Sequence, residues 1–268
     1  MAFCAIPIRS SSLRIPDDVH VLRVDFDFGA KRDDPLFGAL SDCERHRVSR
    51  FVRHADAIRF AACRTLLRYC LAAALGRGAN SIRFAISTAG RPSLYVDDAY
   101  APLDFNVSHS GKHALIAWSK TRRVGVDIEL LNQDVDWEAI ASSVLGTDDA
   151  RWLEPIEDDY RQNFFFDIWV AKEALLKAYG SGISAGLTEF SVAAENHEAP
   201  VIQGTTTLAT TLRLFQACWL RNIDGYCSGL MTPDTNLGEN TRHEEVSDEQ
   251  ATSFVFSRIQ ARCRVSGA

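Results

Sequence analysis

Residues 104–129 read DFNVSHSGKHALIAWSKTRRVGVDIE, and three strand-like runs are packed into them, at 104–108, 113–119 and 123–129. Turn chemistry separates the runs, with Gly111-Lys112 after the first and Lys120-Thr121 after the second. Branched and aromatic residues within the runs, and Gly or polar residues between them, predict strands joined by short turns. In the last run, Gly125-Val126-Asp127-Ile128-Glu129, side chains alternate across the strand. Val126 and Ile128 therefore enter a core, and Asp127 and Glu129 share the other face.

Working outward, residues 20–28 (HVLRVDFDF) alternate as a strand, and residues 35–54 and 56–75 read as two helices, the second ended by Gly76 and Gly78. Strands are expected at 82–87 and 93–96, around the turn Ala89-Gly90-Arg91-Pro92. On the C-terminal side, helices are expected at 136–145 and 148–154, and a longest one at 159–179, stopped by Gly180 and Gly182. Strands follow at 189–194, 212–220 and 226–231. Strand, helices, strands thus occurs twice, joined near residues 120–132. The expectation is an α+β fold of two similar α/β half-domains, each a small, mostly antiparallel sheet packed with helices. The halves span 1–122 and 123–231, and 232–268 form a polar linker and tail, with a terminal helix at 248–262.

Composition narrows the function classes. The chain has 268 residues, 46% hydrophobic and 24% charged, with 29 Lys and Arg against 35 Asp and Glu, a net charge of −6. These are values of a globular protein, and the acidity argues against a general nucleic-acid binder while leaving a local anion site open. The N-terminal apolar stretch is broken by Pro7 and Arg9, unlike a signal-peptide core. The most apolar stretch, residues 61–75, contains Arg64 and Arg68 and is shorter than the roughly 20 residues of a membrane span. Seven cysteines without C-x-x-C spacing indicate neither a disulfide framework nor a zinc site. A cytoplasmic protein without a membrane segment is expected.

Four groups of residues carry possible chemistry. Asp127 and Glu129, side by side, repel each other unless a proton or cation intervenes, and a hard ion such as Mg²⁺ resolves this; two solvated acids on an exposed strand would look the same. Trp169, Glu173 and Lys177, in Trp169-Val-Ala-Lys172-Glu173-Ala-Leu-Leu-Lys177, lie on one helical stripe. That stripe fits a core aromatic beside a surface ion pair, or an acid and a base carried into a cleft by the small Ala171, Ala174 and Ala178. Asn106, Ser108, His109 and Ser110 lead into the Gly111 turn, where hydroxyl, imidazole and backbone N–H groups can meet an anion or simply cap the turn. Ser108 and His109 are consecutive on a strand and point apart, which argues against a nucleophile–base pair. Arg45, His46, Arg47, Arg50, Arg53, His54, Arg59, Arg64 and Arg68 cluster on the two helices, as a solvated face or a phosphate grip, and Arg91 is a smaller case.

Taken in order, the Arg-rich helix, Gly90-Arg91-Pro92, Asn-x-Ser-His-Ser, Gly-Val-Asp-Ile-Glu and Trp-x-x-Lys-Glu-Ala-x-x-Lys resemble the 4′-phosphopantetheinyl transferase superfamily over roughly residues 40–190. The length and the twofold element pattern look like its larger, Sfp-type class, and the Trp and Lys-Glu-Ala spelling like one subgroup of it. The resemblance implies halves related by a pseudo-twofold. It also implies an enzyme that moves phosphopantetheine from coenzyme A onto a serine of an acyl or peptidyl carrier protein, releasing 3′,5′-ADP. By the same resemblance Asp127, Glu129 and Glu173 are the Mg²⁺ ligands, meeting at one shared point, and Glu173 and Lys177 are the catalytic pair. Arg47, Arg59, Arg91, Ser108, His109, Asp127 and Lys177 would hold coenzyme A. Glu44 stands where relatives often carry a lysine, and Arg45 or Arg50 would take over its role. A monomer is implied. A Mg²⁺-dependent phosphohydrolase using the same acids, or a non-catalytic carrier-binding relative, are the competing readings.

Overall fold

Alternation places Leu22 and Val24 of β2 (Val19–Phe26) on one face and Val19 and Val21 on the other, and both faces are buried. The structure is a computed structural model that describes residues 2–8, 15–86, 91–96, 99–132, 135–180, 186–192, 200–220 and 223–233. β2 pairs antiparallel with β1 (Phe3–Ile8) and with β7 (His113–Ser119), and β7 pairs antiparallel with β6 (Asp104–Ser110). The sheet order is β1-β2-β7-β6. Helix α2 (His54–Ala74) covers one face, packing Ile58, Ala61 and Leu66 into the cluster that holds Leu22, Val24 and Ile116. A small sheet of β3 (Ile82–Ile86), β4 (Pro92–Val96) and β5 (Ala99–Tyr100) lies between α2 and β6 in the chain.

The second block repeats this plan. β8 (Gly125–Leu130) pairs antiparallel with β10 (Tyr226–Pro233), which pairs with β9 (Phe215–Trp219). Between β8 and β9 run α3 (Trp137–Val144), α4 (Thr147–Leu153), the 22-residue α5 (Asp158–Tyr179) and α6 (Thr207–Leu212). The order β8-β10-β9 matches β2-β7-β6: β8 pairs with β10 as β2 pairs with β7, and a long helix lies between the two strands of each pair in the chain. Val21, Leu115 and Ala117 of the first sheet join Val126, Ile128 and Leu230 of the second in one apolar cluster. The α+β class with small antiparallel sheets is as expected.

Helix α5 approaches β8 closely because Gly125 has no side chain. A methyl group there would overlap the Ala174 carbonyl oxygen and the backbone nitrogen of Ala178. The small alanines of α5 and Gly125 thus fit together, and the fit fixes how deep the helix sits against the strand.

Several expected boundaries shift for local reasons. The helix read over residues 35–54 is a 3₁₀ turn at Pro35–Phe37 followed by α1 (Asp42–Arg50). Ser41 and Glu44 close a capping box that starts a new helix there, and the chain is extended at Phe51 before α2 begins. Of the strand expected over residues 189–194, the described residues 189–192 hold a single bridge, Ser191 to Gln203, and 193–194 lie outside the described residues. Leu212 ends α6, so the following strand is confined to Phe215–Trp219. The chain beyond residue 233 and the expected terminal helix lie outside the described residues.

Candidate active site

β6 and β8 belong to different sheets, yet they run side by side and are joined through side chains. Asp104 Oδ2 accepts the Val124 N–H at 2.8 Å and Asn106 Oδ1 accepts the Val126 N–H at 2.9 Å. Ser110 Oγ accepts the Leu130 N–H at 3.1 Å. Asp104, Asn106 and Ser110, at alternate positions of β6, thus supply acceptors that a backbone ladder would otherwise supply to the amides of residues 124, 126 and 130. The serines also donate to the acids: Ser108 Oγ to Asp127 Oδ1 at 2.7 Å, and Ser110 Oγ to Glu129 Oε2 at 2.9 Å. Asn106 and Ser110, expected to meet an anion or cap the turn, instead hold residues of β8, and Asp104, outside the expected groups, does the same at Val124. The polar alternation of D-F-N-V-S-H-S was the signal that marked them, since all lie on one strand face.

Helix α5 brings the third acid and the lysine to the same place. Lys177 Nζ lies 2.5 Å from Asp127 Oδ1, 3.3 Å from Ser108 Oγ and 3.7 Å from Glu173 Oε2. The Trp169 side chain hydrogen-bonds to Glu173, so the stripe Trp169, Glu173, Lys177 is one connected row. Asp127 is 2% exposed, and its Oδ2 is buried without a hydrogen-bond partner.

The charges strain one another. Burial, and then the Asp127 carboxylate, push the Glu129 carboxyl up to about 7. Glu173 is raised too, by burial first, with Lys177 pulling it the other way. Burial alone would lower Lys177, but the Asp127 carboxylate overcomes it and holds the ammonium above its ordinary value. Excess negative charge and an orphaned buried oxygen among hard oxygen donors suit a divalent cation. The three acids nevertheless do not stand as a ready ion cage. Among the described residues no group of three or more His, Cys, Asp or Glu side chains could hold a metal as placed. The expected single meeting point is divided by the Lys177 ammonium, which binds the same carboxylates.

The other residues expected to act stand at graded distances from this centre. His109 points away from Ser108 and is exposed, yet enough protein surrounds it that desolvation, followed by the Arg59 guanidinium, lowers its basicity. Arg59 is tied to the turn beyond, donating to the Gly111 carbonyl through Nε at 3.0 Å and Nη2 at 2.8 Å, and to Asp56 at 2.7 Å. Arg47 is on the exposed side of α1, over the Phe60 ring at 4.7 Å. Arg91 sends its guanidinium to protein acceptors: the Lys177 carbonyl, Asp104 and the Val124 carbonyl. Arg45 is paired with Asp42, and Glu44 closes the α1 capping box and neutralises the buried Arg68 at 2.8 Å.

Lys172, next to Glu173 in the motif, faces the opposite way. It is fully buried, pairs with Asp149 at 2.6 Å, and donates to the carbonyls of Val144, Leu187 and Phe190. Its neighbours show it to be a clamp on the loops behind α5. No helix among the described residues is long and apolar enough to cross a membrane.

Both blocks match known family models. Residues 35–121 match the model described as 4′-phosphopantetheinyl transferase, N-terminal, and residues 123–229 match that of the 4′-phosphopantetheinyl transferase superfamily. The 4′-phosphopantetheinyl transferase HetI of Nostoc sp. is 34% identical over 189 residues, covering 70% of this chain and 79% of that protein. The 4′-phosphopantetheinyl transferase Sfp of Bacillus subtilis is 26% identical over 65% of this chain and 75% of its own length. An L-aminoadipate-semialdehyde dehydrogenase-phosphopantetheinyl transferase of Schizosaccharomyces pombe is 32% identical over 56% of this chain and 62% of its own. With the acids, serines and lysine of the matched blocks gathered across β6, β8 and α5, and with a relative matched over most of its length, the chain belongs to the 4′-phosphopantetheinyl transferase superfamily.

Proposed function

We propose that the chain transfers the 4′-phosphopantetheine group of coenzyme A to a serine hydroxyl of an acyl or peptidyl carrier protein, releasing 3′,5′-ADP, and that the cluster at β8 and α5 is where this happens. The observation that carries the reading is the contact of Lys177 with Asp127 beside Glu173 and Glu129: a cation and three carboxylates in one small, partly desolvated space. Phosphoryl transfer to an alcohol needs charge neutralised on the pyrophosphate, an in-line hydroxyl and a stabilised leaving group.

In this reading Asp127, Glu129 and Glu173 hold Mg²⁺, which when bound supplies charge neutralisation and Lewis-acid polarisation of the pyrophosphate. Glu173 accepts the proton of the carrier serine. The serine oxygen forms a bond to the phosphorus that bears pantetheine as the bond to the other phosphate breaks. Lys177 stabilises the departing 3′,5′-ADP as a hydrogen-bond donor. Ser108 and His109 at the end of β6, with Arg59 behind them, suit the phosphates of coenzyme A, and Arg47 on α1 suits its more distant groups. The two blocks, 1–122 and 123–231, form the substrate cleft between them, and the protein acts as a cytoplasmic monomer.

The test mixes the protein with coenzyme A, Mg²⁺ and apo carrier domains from fatty-acid, polyketide, peptide and lysine pathways, and follows intact carrier mass. A gain of one phosphopantetheine group on at least one carrier is expected. Release of phosphate or nucleotide without carrier, and no mass gain on any carrier, would replace this reading with the hydrolase.

A further inference from the structure

Helix α5 carries Glu173 and Lys177 in its last turns and ends at Gly180, where a φ of +92° turns the chain away. The final carbonyls of a helix have no intrahelical donors, and cations favour that end. Two guanidinium groups meet them here. Arg123 donates to the Tyr179 carbonyl at 2.6 Å. Arg91, just before β4, donates through Nη1 to the carbonyl of Lys177 itself. Through Nη2 it reaches Asp104 Oδ2 on β6 and the Val124 carbonyl at the start of β8, the latter at 3.1 Å.

One side chain therefore ties together the strand that bears Ser108, the strand that bears Asp127 and the backbone of Lys177. Asp104 completes the tie, since the oxygen that receives Arg91 also accepts the Val124 N–H at 2.8 Å. The Arg91 side chain is only 12% exposed. Both of its Nη atoms donate to protein acceptors. The resemblance assigned Arg91 to coenzyme A, yet the contacts it makes are those of a strut.

We propose that Arg91 is a positioning residue, which sets where α5 presents the Lys177 ammonium to Asp127 and acts on the reaction through Lys177 rather than by gripping coenzyme A. The inference rests on Lys177 serving the transfer described above. A reacting group displaced by about 1 Å can lower turnover roughly a hundredfold, so loss of the strut is read in kcat.

The experiment compares wild type, Arg91→Gln, Arg91→Lys, Asp104→Asn and the Arg91→Gln/Asp104→Asn double variant in carrier modification, and measures coenzyme A affinity by calorimetry. Arg91→Gln is expected to lower kcat about tenfold or more while the coenzyme A KM and Kd stay within about twofold. Arg91→Lys is expected to recover part of the loss. Asp104→Asn should move kcat the same way, and the double variant should be little worse than Arg91→Gln alone, because the two groups act as one unit. A tenfold rise in coenzyme A KM and Kd with kcat near wild type would overturn the proposal, as would no change in either constant. If Arg91→Gln does not fold, Arg91→Lys decides by the same split. A wild-type protein that modifies no carrier would instead remove the transferase reading, a result separate from every outcome above.

Discussion

Lys177 Nζ lies 2.5 Å from Asp127 Oδ1 and 3.7 Å from Glu173 Oε2, so the ammonium occupies the space among the acids that a divalent ion would need. Ammonium and metal ion therefore compete for the same oxygens. In the absence of coenzyme A, Lys177→Met is expected to bind Mn²⁺ or Mg²⁺ at least about tenfold more tightly than wild type. Removing a unit charge some 4 Å away is worth several kcal/mol even at an effective dielectric of about 20. Titration calorimetry measures this directly. An equal or weaker affinity in the variant would show that the ion and Lys177 do not share these carboxylates.

Lys172 makes the opposite prediction, although it adjoins Glu173. Its ammonium and the Asp149 carboxylate are both fully buried, and Asp149 also accepts the N–H groups of Gly146 and Val192, each at 2.8 Å. Lys172→Met leaves a charge in the interior without its partner, at a cost of about 3–5 kcal/mol. Chemical denaturation should show that loss with or without Mg²⁺, whereas the loss in Lys177→Met, which unpairs the buried Asp127 carboxylate, should shrink when Mg²⁺ is added. A Lys177→Met loss that Mg²⁺ leaves unchanged would contradict the division of roles.

Glu129 gives the protein a pH dependence of known sign. Burial and the Asp127 charge raise its carboxyl from an ordinary 4.5 to about 7. Between those values the folded chain keeps a proton that the unfolded chain has released, so this group favours folding on the acid side. Its contribution is lost as pH rises through that window. The melting temperature of metal-free wild type should therefore fall over this range more steeply than that of Glu129→Gln. Parallel curves would mean that the Glu129 charge is not strained in the folded chain.

The sequence revealed the centre of this molecule better than its edges. The β6–β8 region and α5 were legible because alternation of period two, the Gly turns, and the run from Asp159 to Gly180 each carry a strong local signal. β1 was not read, since FCAIPI contains Pro7; a proline is tolerated there because β1 is the outer strand of its sheet. α6, with the sequence TLATTL, is rich in poor helix formers and is built on the Thr206 cap rather than on propensity. In the site, i, i+4 spacing correctly placed Trp169, Glu173 and Lys177 on one row. Spacing gives no sign of which carboxylate a lysine will choose, nor that Arg91 spends its donors on a helix end, because both depend on strands brought together from distant parts of the chain.

The central claim, that the acids of β8 and α5 carry the transfer, is tested most directly by the initial rate of carrier mass gain for Asp127→Ala and Glu173→Gln beside wild type, each variant first shown to be folded by circular dichroism. The account predicts at least about a hundredfold loss in both, the scale of removing a group that stabilises the transition state. Folded variants that modify the carrier at the wild-type rate would contradict it.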